Sequence, residues 1–401
     1  MRYLRSARSN AKVKKLTLKP EERSKNEPLI RSHMPELDTI RGLAVLGVLL
    51  YHGLYWARDL SVYARWQARI FQLASIGQFG VNLFFVLSGF LITGVLLNSR
   101  DRPRYFKRFY FRRALRILPA YYATLALLVL FKLTSIKFLL MSLAFSSNLA
   151  PMLGIALSYP VLWSLAVEEH FYLVWPIVAK RLTPSGLLLF LGAVLILTPV
   201  SRYLYHERAV AEGTVGSGYG FYTWNNLDGL ALGAFVAVLV RRDGWGRRRV
   251  LQLAFLLGAS SVLIVLLGYP YGILTRMTAV GDALQYVPWN FASCAMIVTF
   301  ILIGSGPYRR FVTPVPIIFL GIISYGLYLY HLMVFFAYER MLRLAWVHNA
   351  LPSSQWAQSW LRMLVVGSVA IALAYVSRRY LEEPFLRRKD ALSSGTGARD
   401  N

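Results

Sequence analysis

Cysteine and acidic residues are both scarce in this 401-residue chain. The single cysteine, Cys294, excludes a disulfide framework and a thiolate zinc site, since either needs several cysteines. Only 19 Asp and Glu oppose 45 Lys and Arg, which gives a formal net charge of +26. In an apolar chain such an excess is typical of loops that face anionic lipid headgroups, so nucleic acid is not expected as a partner.

Charge of either sign is sparse as well. Charged residues make up 16% of the chain and hydrophobic residues 56%, with a mean hydropathy of +0.46. Soluble domains average about 25% charged residues, so this composition predicts an all-α, polytopic membrane protein. Apolar runs near the length of about 20 residues that crosses a bilayer predict ten transmembrane helices, near 37–56, 79–98, 117–133, 161–179, 185–203, 222–240, 250–268, 286–304, 317–336 and 361–380.

The basic residues are distributed unevenly between the segments that connect these spans. If the N-terminus is cytoplasmic, most Lys and Arg fall on the cytoplasmic side, as the positive-inside rule requires, and the C-terminus is cytoplasmic too. We therefore expect a basic cytoplasmic tail at 1–36, a transmembrane domain at 37–385 and a polar tail at 386–401. The first span is expected to be an uncleaved anchor, and the segment 134–160 a short interfacial or re-entrant helix.

Arg41 and His52 are the most informative pair of residues in the chain. They are eleven residues apart in an apolar run, and on a helix this separation turns through about 1100°, only about 20° past three full turns. The guanidinium and the imidazole are therefore expected on one face. Ionisable side chains at membrane depth are costly and mark substrate or proton pathways.

Other polar residues fall at a similar depth in the predicted spans. A rise of 1.5 Å per residue places the following side chains in one layer, about 16 to 21 Å from the cytoplasmic face: His52, Ser88, Glu168, Asp228 and His331. Local hydrogen bonding between helices would explain an isolated serine. A carboxylate and an imidazole at one depth favour a functional site instead.

A cluster of basic residues precedes the third predicted span. It comprises Arg100, Arg102, Arg104, Lys107, Arg108, Arg112, Arg113 and Arg116. One interpretation is a solvated cytoplasmic loop. The other is an amphipathic helix at the interface, held there by the interleaved aromatic residues at 105–111, with its arginines forming a pocket for a phosphate-bearing cofactor.

Six motifs, in order along the chain, resemble those of the membrane acyltransferase 3 family. The first is an Arg followed by ten residues and a His, which matches Arg41 and His52 within LDTIRGLAVLGVLLYH. The others are NLFFVLSGFLITG at 82–94, RRALRILPAYY at 112–122, WSLAVEEHFYLVWP at 163–176, ISYGLYLYH at 323–331 and YLEEPF at 380–385. One position departs from the pattern: Asn226 stands where the family often has Arg, two residues before Asp228, so the resemblance carries no ion pair over to this segment.

The resemblance implies an integral membrane O-acyltransferase, by family habit an O-acetyltransferase. It would transfer an acyl group from cytosolic acyl-CoA to a hydroxyl of a cell-envelope glycan, a lipid-linked saccharide or a secreted small molecule. The setting would be the inner membrane of a bacterium. No metal cofactor is expected, because the six histidines show no ligand spacing such as HExxH. The acceptor, the acyl chain length and the oligomeric state stay open.

The same resemblance suggests roles for individual residues. His52 is expected to act as the base, Glu168 to orient it, and Arg41 to assist at the catalytic site. The phosphates of the cofactor are expected to contact Arg41, Arg108, Arg112, Arg113 and Arg116. The acceptor or the oxyanion is expected to contact Ser88, Asp228, Tyr330 and His331.

Other functions and mechanisms fit the same residues. His52 could itself take the acyl group, which would give ping-pong kinetics. A transporter or flippase of a lipid-linked or small polar substrate would use the buried ions as a coupling site, but it gives no reason for the arginine cluster. A membrane glycosyltransferase would use Glu168 and Glu169 to hold a metal.

Overall fold

A computed structural model describes residues 29–31, 34–56, 59–216, 218–344 and 352–387, and all regular secondary structure in these ranges is helical. The tails expected at 1–36 and 386–401 lie almost entirely outside the described residues. The first seven α-helices are α1 Pro35–Leu50, α2 Arg65–Ala74, α3 Gly80–Asn98, α4 Tyr105–Leu130, α5 Ile136–Leu143, α6 Leu162–Arg181 and α7 Pro184–Ala211.

Seven further α-helices follow in the described part of the chain. They are α8 Leu227–Leu239, α9 Arg247–Gly268, α10 Ala279–Leu284, α11 Val287–Gly304, α12 Val315–Ile322, α13 Ser324–Met341 and α14 Gln355–Val376. Two π-helical segments, Tyr51–Tyr55 and Ser377–Glu382, continue α1 and α14. The short helix α5 falls where a short interfacial or re-entrant helix was expected.

Within the described residues, seven helical segments are long and apolar enough to cross a membrane, and the α12–α13 pair makes an eighth if it counts as one span. The chain is therefore a multi-pass membrane protein. The two remaining expected spans correspond to α6, which is helical over 20 residues but carries polar side chains, and α8, which has only 13 residues. The count of ten and the cytoplasmic side of both termini stay predictions.

Two expected spans differ from continuous helices. The segment 317–336 is bent by 77° between α12 and α13. At this bend Gly321 lies so close to the main chain of Asp38 on α1 that a Cβ atom would fall 1.8 Å from its carbonyl oxygen. The segment 222–240 begins with a 3₁₀ turn, Thr223–Asn225, before α8 starts. An apolar run gives the length of a buried segment, but it does not reveal where neighbouring helices interrupt it.

Helices α3 and α8 pack with their main chains in contact. A Cβ atom on Gly89 would fall 1.9 Å from the carbonyl oxygen of Leu230, and one on Gly233 would fall 1.9 Å from that of Val86. Small residues allow this close approach between membrane helices. The contact fixes one face of α3 against α8 and leaves another face free to line an internal cavity.

Candidate active site

An internal cavity of about 250 Å³ lies between α1, α3, α4, α6 and α13. Its lining combines apolar residues with arginines, a carboxylate and hydroxyl groups. The polar lining residues are Arg41, Ser88, Arg113, Arg116, Ser164, Glu168, Ser324, Tyr325 and Tyr328. We call this space the first cavity. It brings together residues that are up to 287 positions apart in the sequence, from Arg41 to Tyr328.

One face of α3 forms a long wall of the first cavity. Val81, Phe84, Ser88, Leu91 and Val95 line it at helical spacing. From Val81 to Val95 the helix rises about 21 Å, most of the apolar thickness of a bilayer. The cavity therefore extends through much of the bundle, with Ser88 midway along this wall.

Three arginines lie at the end of the first cavity that is nearer the α3–α4 loop, which we call the basic end of the bundle. Arg41 forms an ion pair with Asp38, one helical turn earlier on α1. Arg116 lines the cavity and forms no hydrogen bond or ion pair with any described residue. The predicted convergence of Arg41 with two arginines of the basic cluster is present, whereas Arg108 and Arg112 are not among the lining residues.

Arg113 is the arginine of this end that lies nearest to the carboxylate of the cavity. Its guanidinium carbon is 3.6 Å from the centroid of the Tyr172 ring, and its Nη2 is 3.8 Å from Oε2 of Glu168. Its Nε is buried and has no hydrogen-bond partner among the described residues, and the nearest Glu169 oxygen lies 4.0 Å away. The Nε–H group of Arg113 is therefore a hydrogen-bond donor that no described residue uses.

Glu168 is held by two hydroxyl groups midway along the cavity. Ser88 Oγ donates to Glu168 Oε1 at 2.9 Å, and the Tyr172 hydroxyl lies 3.0 Å from Glu168 Oε2 and 2.9 Å from Ser88 Oγ. Ser164, Glu168 and Tyr172 follow one another at four-residue spacing on α6, so they share a face. Together with Ser88, this polar cluster can accept a hydrogen bond from a hydroxyl in the cavity.

His52 lies outside the first cavity, in the π-helical segment that continues α1. Such segments are often found at functional sites. The segment ends with Trp56 N–H donating to the carbonyl of Tyr51, which leaves the following carbonyls without a helical partner. Arg362 of α14 donates to these carbonyls, at 3.4 Å to His52 and 2.6 Å to Gly53.

Arg362 is itself fixed in place. Its Nε donates to Glu339 at 2.7 Å, and its guanidinium carbon is 4.4 Å from the centroid of the Phe335 ring. The side chain therefore connects α14, α13 and the end of α1. This arrangement holds the main chain at His52 and Gly53.

His331 of α13 contacts the imidazole of His52. Nδ1 of His331 lies 3.1 and 2.8 Å from the main-chain oxygens of Leu327 and Tyr328, so Nδ1 carries the proton and Nε2 is an acceptor. Nδ1 of His52 lies 3.0 Å from the carbonyl of Val48 and 3.2 Å from Nε2 of His331, so it too carries the proton. In the neutral ring, Nε2 of His52 is then the unprotonated nitrogen.

Tyr328 separates the histidine pair from the first cavity. Its hydroxyl is 2.6 Å from Ser164 Oγ, and both residues line the cavity. The centroid of its ring lies 5.9 Å from that of His331, which in turn lies 5.0 Å from that of His52. Glu168 forms no hydrogen bond or ion pair with His52 among the described residues, so the group that contacts and orients the imidazole is His331.

Two other residues expected to contact substrate lie away from the cavity. Asp228 pairs with Arg202 of α7 at 2.9 Å, on the side of α3 that faces α8. Asn226 carries no charge that could pair with Asp228, and Arg202 of a different helix provides it instead. Tyr330 is 2% exposed, and its hydroxyl is 2.9 Å from Ser377 Oγ, on the side of α13 that faces the end of α14. Their assignment to substrate stays a prediction, as do the roles of the other site residues.

Several residues of the site were not expected from the sequence. Tyr172 and Ser164 had a usable signal, because each lies one helical turn from Glu168, and Tyr328 lies one turn before His331. No sequence signal points to Arg362, because the carbonyl oxygens that it contacts belong to a helix end that is distant in the sequence. Among the described residues, no three His, Cys, Asp or Glu side chains cluster as a metal site requires.

The protein is thus a multi-pass helical membrane protein whose bundle encloses a cavity lined by apolar residues, arginines and a carboxylate. The chain belongs to the family described as the acyltransferase domain, because the family model matches residues 34–379. This range runs from the residue before α1 into the π-helical segment after α14, so it includes all the residues assigned above to the site.

The chain is similar to several bacterial proteins. It is 32% identical over 166 residues to the peptidoglycan O-acetyltransferase OatA of Listeria monocytogenes, which covers 36% of this chain and 24% of the relative. It is 25% identical over 332 residues to the O-acetyltransferase OatA of Staphylococcus aureus, which covers 75% of this chain and 50% of the relative. The matched region is thus at most half of these relatives. No solved structure matches the chain.

Proposed function

We propose that this chain transfers an acetyl group from acetyl-CoA to a hydroxyl group of a cell-envelope glycan, in the inner membrane of a bacterium. Membership of the acyltransferase domain family supports acyl transfer. The names of the relatives, one of them a peptidoglycan O-acetyltransferase, support acetyl and a glycan acceptor. The observation that carries the proposal is a cavity with arginines at one end and the Ser88, Glu168 and Tyr172 cluster midway.

The arginine end of the first cavity fits the phosphates of coenzyme A. Arg116 has no hydrogen-bond partner, and Arg113 keeps a buried Nε without one, among the described residues. Arginine forms strong, paired hydrogen bonds with phosphate. Arg41, Arg113 and Arg116 would therefore hold the phosphates, and the apolar wall of α3 would take the extended arm that carries the thioester.

His52 is the proposed base. Its Nε2 is the unprotonated nitrogen, and His331 and Val48 hold the other side of the ring. In the reaction, Nε2 would accept the proton of the acceptor hydroxyl while that oxygen forms a bond to the acyl carbon and the carbon–sulfur bond breaks. The thiolate would then take the proton back from the imidazolium. A transient acyl group on His52 is the alternative route.

Because Glu168 forms no hydrogen bond or ion pair with His52 among the described residues, its proposed role is not to orient the imidazole. It contacts Arg113, Ser88 and Tyr172, so we propose that it balances the charge of Arg113 and fixes the positions of the two hydroxyl groups, whose protons it accepts. His331 takes over the orienting role at His52.

Tyr328 is proposed to act as the gate between the two parts of the site. With its hydroxyl on Ser164, it lies between the first cavity and His331. Rotation of this one side chain would join the arginine-lined cavity to the imidazole of His52. The acceptor would approach His52 from the end of the bundle opposite the arginines.

The experiment is His52→Gln in cells, with acetylation of envelope glycans scored by mass spectrometry. We expect a decrease of about 10²- to 10⁴-fold, the usual contribution of a general base. His170→Gln is the matched control, because His170 is another histidine in a membrane helix and contacts Thr223 outside the cavity. Equal acetylation in the wild type and in His52→Gln, at equal expression, would exclude His52 as the base.

A further inference from the structure

A second cavity, of about 1070 Å³, lies at the basic end of the bundle. It is bounded by the end of α3, the start of α7 and the α8–α9 loop. None of its lining residues also lines the first cavity. Its polar lining residues are Asn98, Arg100, Ser185, Arg241, Arg242, Asp243 and Arg247. Four arginines and a single aspartate thus face one space.

Neutral oxygen atoms hold three of these arginines in place. Arg100 donates to the main-chain oxygens of Lys180 and Leu182, at 3.0 and 2.7 Å. Arg247 donates to Ser305 Oγ at 3.1 Å and to the carbonyl of Leu302 at 3.0 Å. Neither forms an ion pair with a described carboxylate. Their positions are fixed, but their charge is not neutralised by the protein.

Arg241 is the most constrained of the set. Its Nη1 donates to the carbonyl of Ala237 at 2.9 Å, and its buried Nε has no hydrogen-bond partner among the described residues. Its guanidinium occupies the space beside Gly94 of α3, where a Cβ atom would fall 2.2 Å from Nη2. A side chain at position 94 would therefore displace this guanidinium from its present place at the wall of the cavity.

An apolar groove adjoins the second cavity. It shares Leu29, Ile30 and Val240 with the cavity and continues along Phe90, Val250, Val298 and Ile301. The groove has a volume of only about 10 Å³, too small for an acyl chain, so recognition in the second cavity depends on an anionic group. Trp245 also lines the cavity.

We propose that the second cavity binds a phosphate ester. Arginine recognises phosphate through paired hydrogen bonds, and positioned arginines without carboxylate partners supply both the charge and the donors. Two sources present this group at the basic end of the bundle: the headgroup of a membrane phospholipid and a soluble phosphate ester. The proposal concerns a site separate from the proposed reaction and does not depend on it.

The test measures binding of two probes to the purified full-length protein in detergent by isothermal titration calorimetry. The probes are dioctanoyl phosphatidylglycerol and glycerol 3-phosphate. We expect saturable binding of at least one, weakened about tenfold or more in Arg241→Gln and in Arg247→Gln, the effect of losing one hydrogen bond to a charged group. Binding of the lipid alone identifies a headgroup site, and binding of both identifies a site for phosphate esters in general.

Two further variants separate the site from its surroundings. Arg249→Gln removes the same charge two residues from Arg247, but Arg249 does not line the cavity, so its binding should equal that of the wild type. Gly94→Ala keeps every charge and displaces the Arg241 guanidinium, so its binding should weaken as in Arg241→Gln. The proposal is overturned if neither probe binds saturably, or if Arg249→Gln weakens binding as much as Arg241→Gln.

Discussion

Two arginines inside the bundle differ in how their guanidinium groups are satisfied. Arg202, 1% exposed, donates to the main-chain oxygens of Ala283 and Asn225 and pairs with Asp228. Arg116 lines the first cavity and contacts no hydrogen-bond or ion-pair partner among the described residues. Both side chains stay charged in a protein. The charge of Arg202 is therefore neutralised within the fold, whereas that of Arg116 is available to a ligand.

Arg202 represents the residues that hold the helices together, and Arg116 represents those that we propose to contact a ligand. Removal of a saturated, paired arginine leaves its partner buried and unpaired, so stability should fall. Removal of an arginine without partners removes no hydrogen bond or ion pair from the fold. The stability should therefore stay unchanged, and the affinity for a ligand should fall. The substitutions below change either a residue that holds the helices together or a residue of the candidate site.

The largest effect is expected for Arg202→Met. The substitution leaves the carboxylate of Asp228 buried without its partner, and we expect a loss of about 3 to 5 kcal/mol of stability. Thermal unfolding of the purified protein measures it. The double variant Arg202→Met/Asp228→Leu should recover most of the loss, because it removes both charges together. An unchanged unfolding temperature in the single variant would contradict a structural role for this pair.

His331→Phe should lower kcat about 10²-fold while the KM for acetyl-CoA stays within about twofold. Phenylalanine fills the space of the imidazole but offers no acceptor to Nδ1 of His52. His331→Gln should recover part of the rate, since its amide oxygen can accept that proton. A purely structural role predicts the reverse pattern, in which both variants lose folded protein and keep the kcat of the remainder.

Arg116→Gln should raise the KM for acetyl-CoA about tenfold, the effect of one lost hydrogen bond to a charged group. The unfolding temperature should stay that of the wild type, because the side chain has no described partner to lose. Arg112→Gln is the control, since Arg112 lies on the same helix outside the cavity lining. Equal KM values in the two variants would remove Arg116 from the donor site.

The smallest effect is expected for Tyr328→Phe, which loses only the hydrogen bond to Ser164, about 1 kcal/mol. Tyr328→Ala instead removes the ring between the first cavity and His331. It should therefore increase hydrolysis of acetyl-CoA in the absence of an acceptor, which release of labelled acetate measures. If Tyr328→Ala and Tyr328→Phe hydrolyse the thioester equally slowly, Tyr328 is not a gate.

Part of the candidate site follows from positions along the helix axes. The rise per residue predicted the common depth of His52, Ser88 and Glu168, and the eleven-residue spacing predicted a shared face for Arg41 and His52. In the structure, Ser88 and Glu168 are in contact, and Arg41 lines the cavity that both of them face. His52 does not line this cavity, because it lies in the π-helical segment that continues α1, so the eleven-residue spacing does not bring it to the same cavity as Arg41. The depth of a residue can be estimated from the local sequence, because it depends only on the distance of the residue from the end of its helix.

Neighbours across helices could not be predicted in the same way. Asp228 was expected near the depth of Ser88, but it lies on the other side of α3, where it pairs with Arg202. The sequence does not reveal how α8 is rotated about its own axis. The bend between α12 and α13 depends on contact with α1, and the bonds from Arg362 depend on the end of the π-helical segment. Each is a consequence of lateral packing.

We propose that the arm of coenzyme A reaches from the arginines to the middle of the first cavity. Ser88→Cys in a Cys294→Ala background tests it through formation of a mixed disulfide with coenzyme A under mild oxidation, detected by intact-protein mass spectrometry. We predict capture at Ser88→Cys, reduced by the added Arg116→Gln, and no capture at Asn226→Cys on the other side of α3. Absence of capture at Ser88→Cys, or equal capture at both positions, would contradict the account.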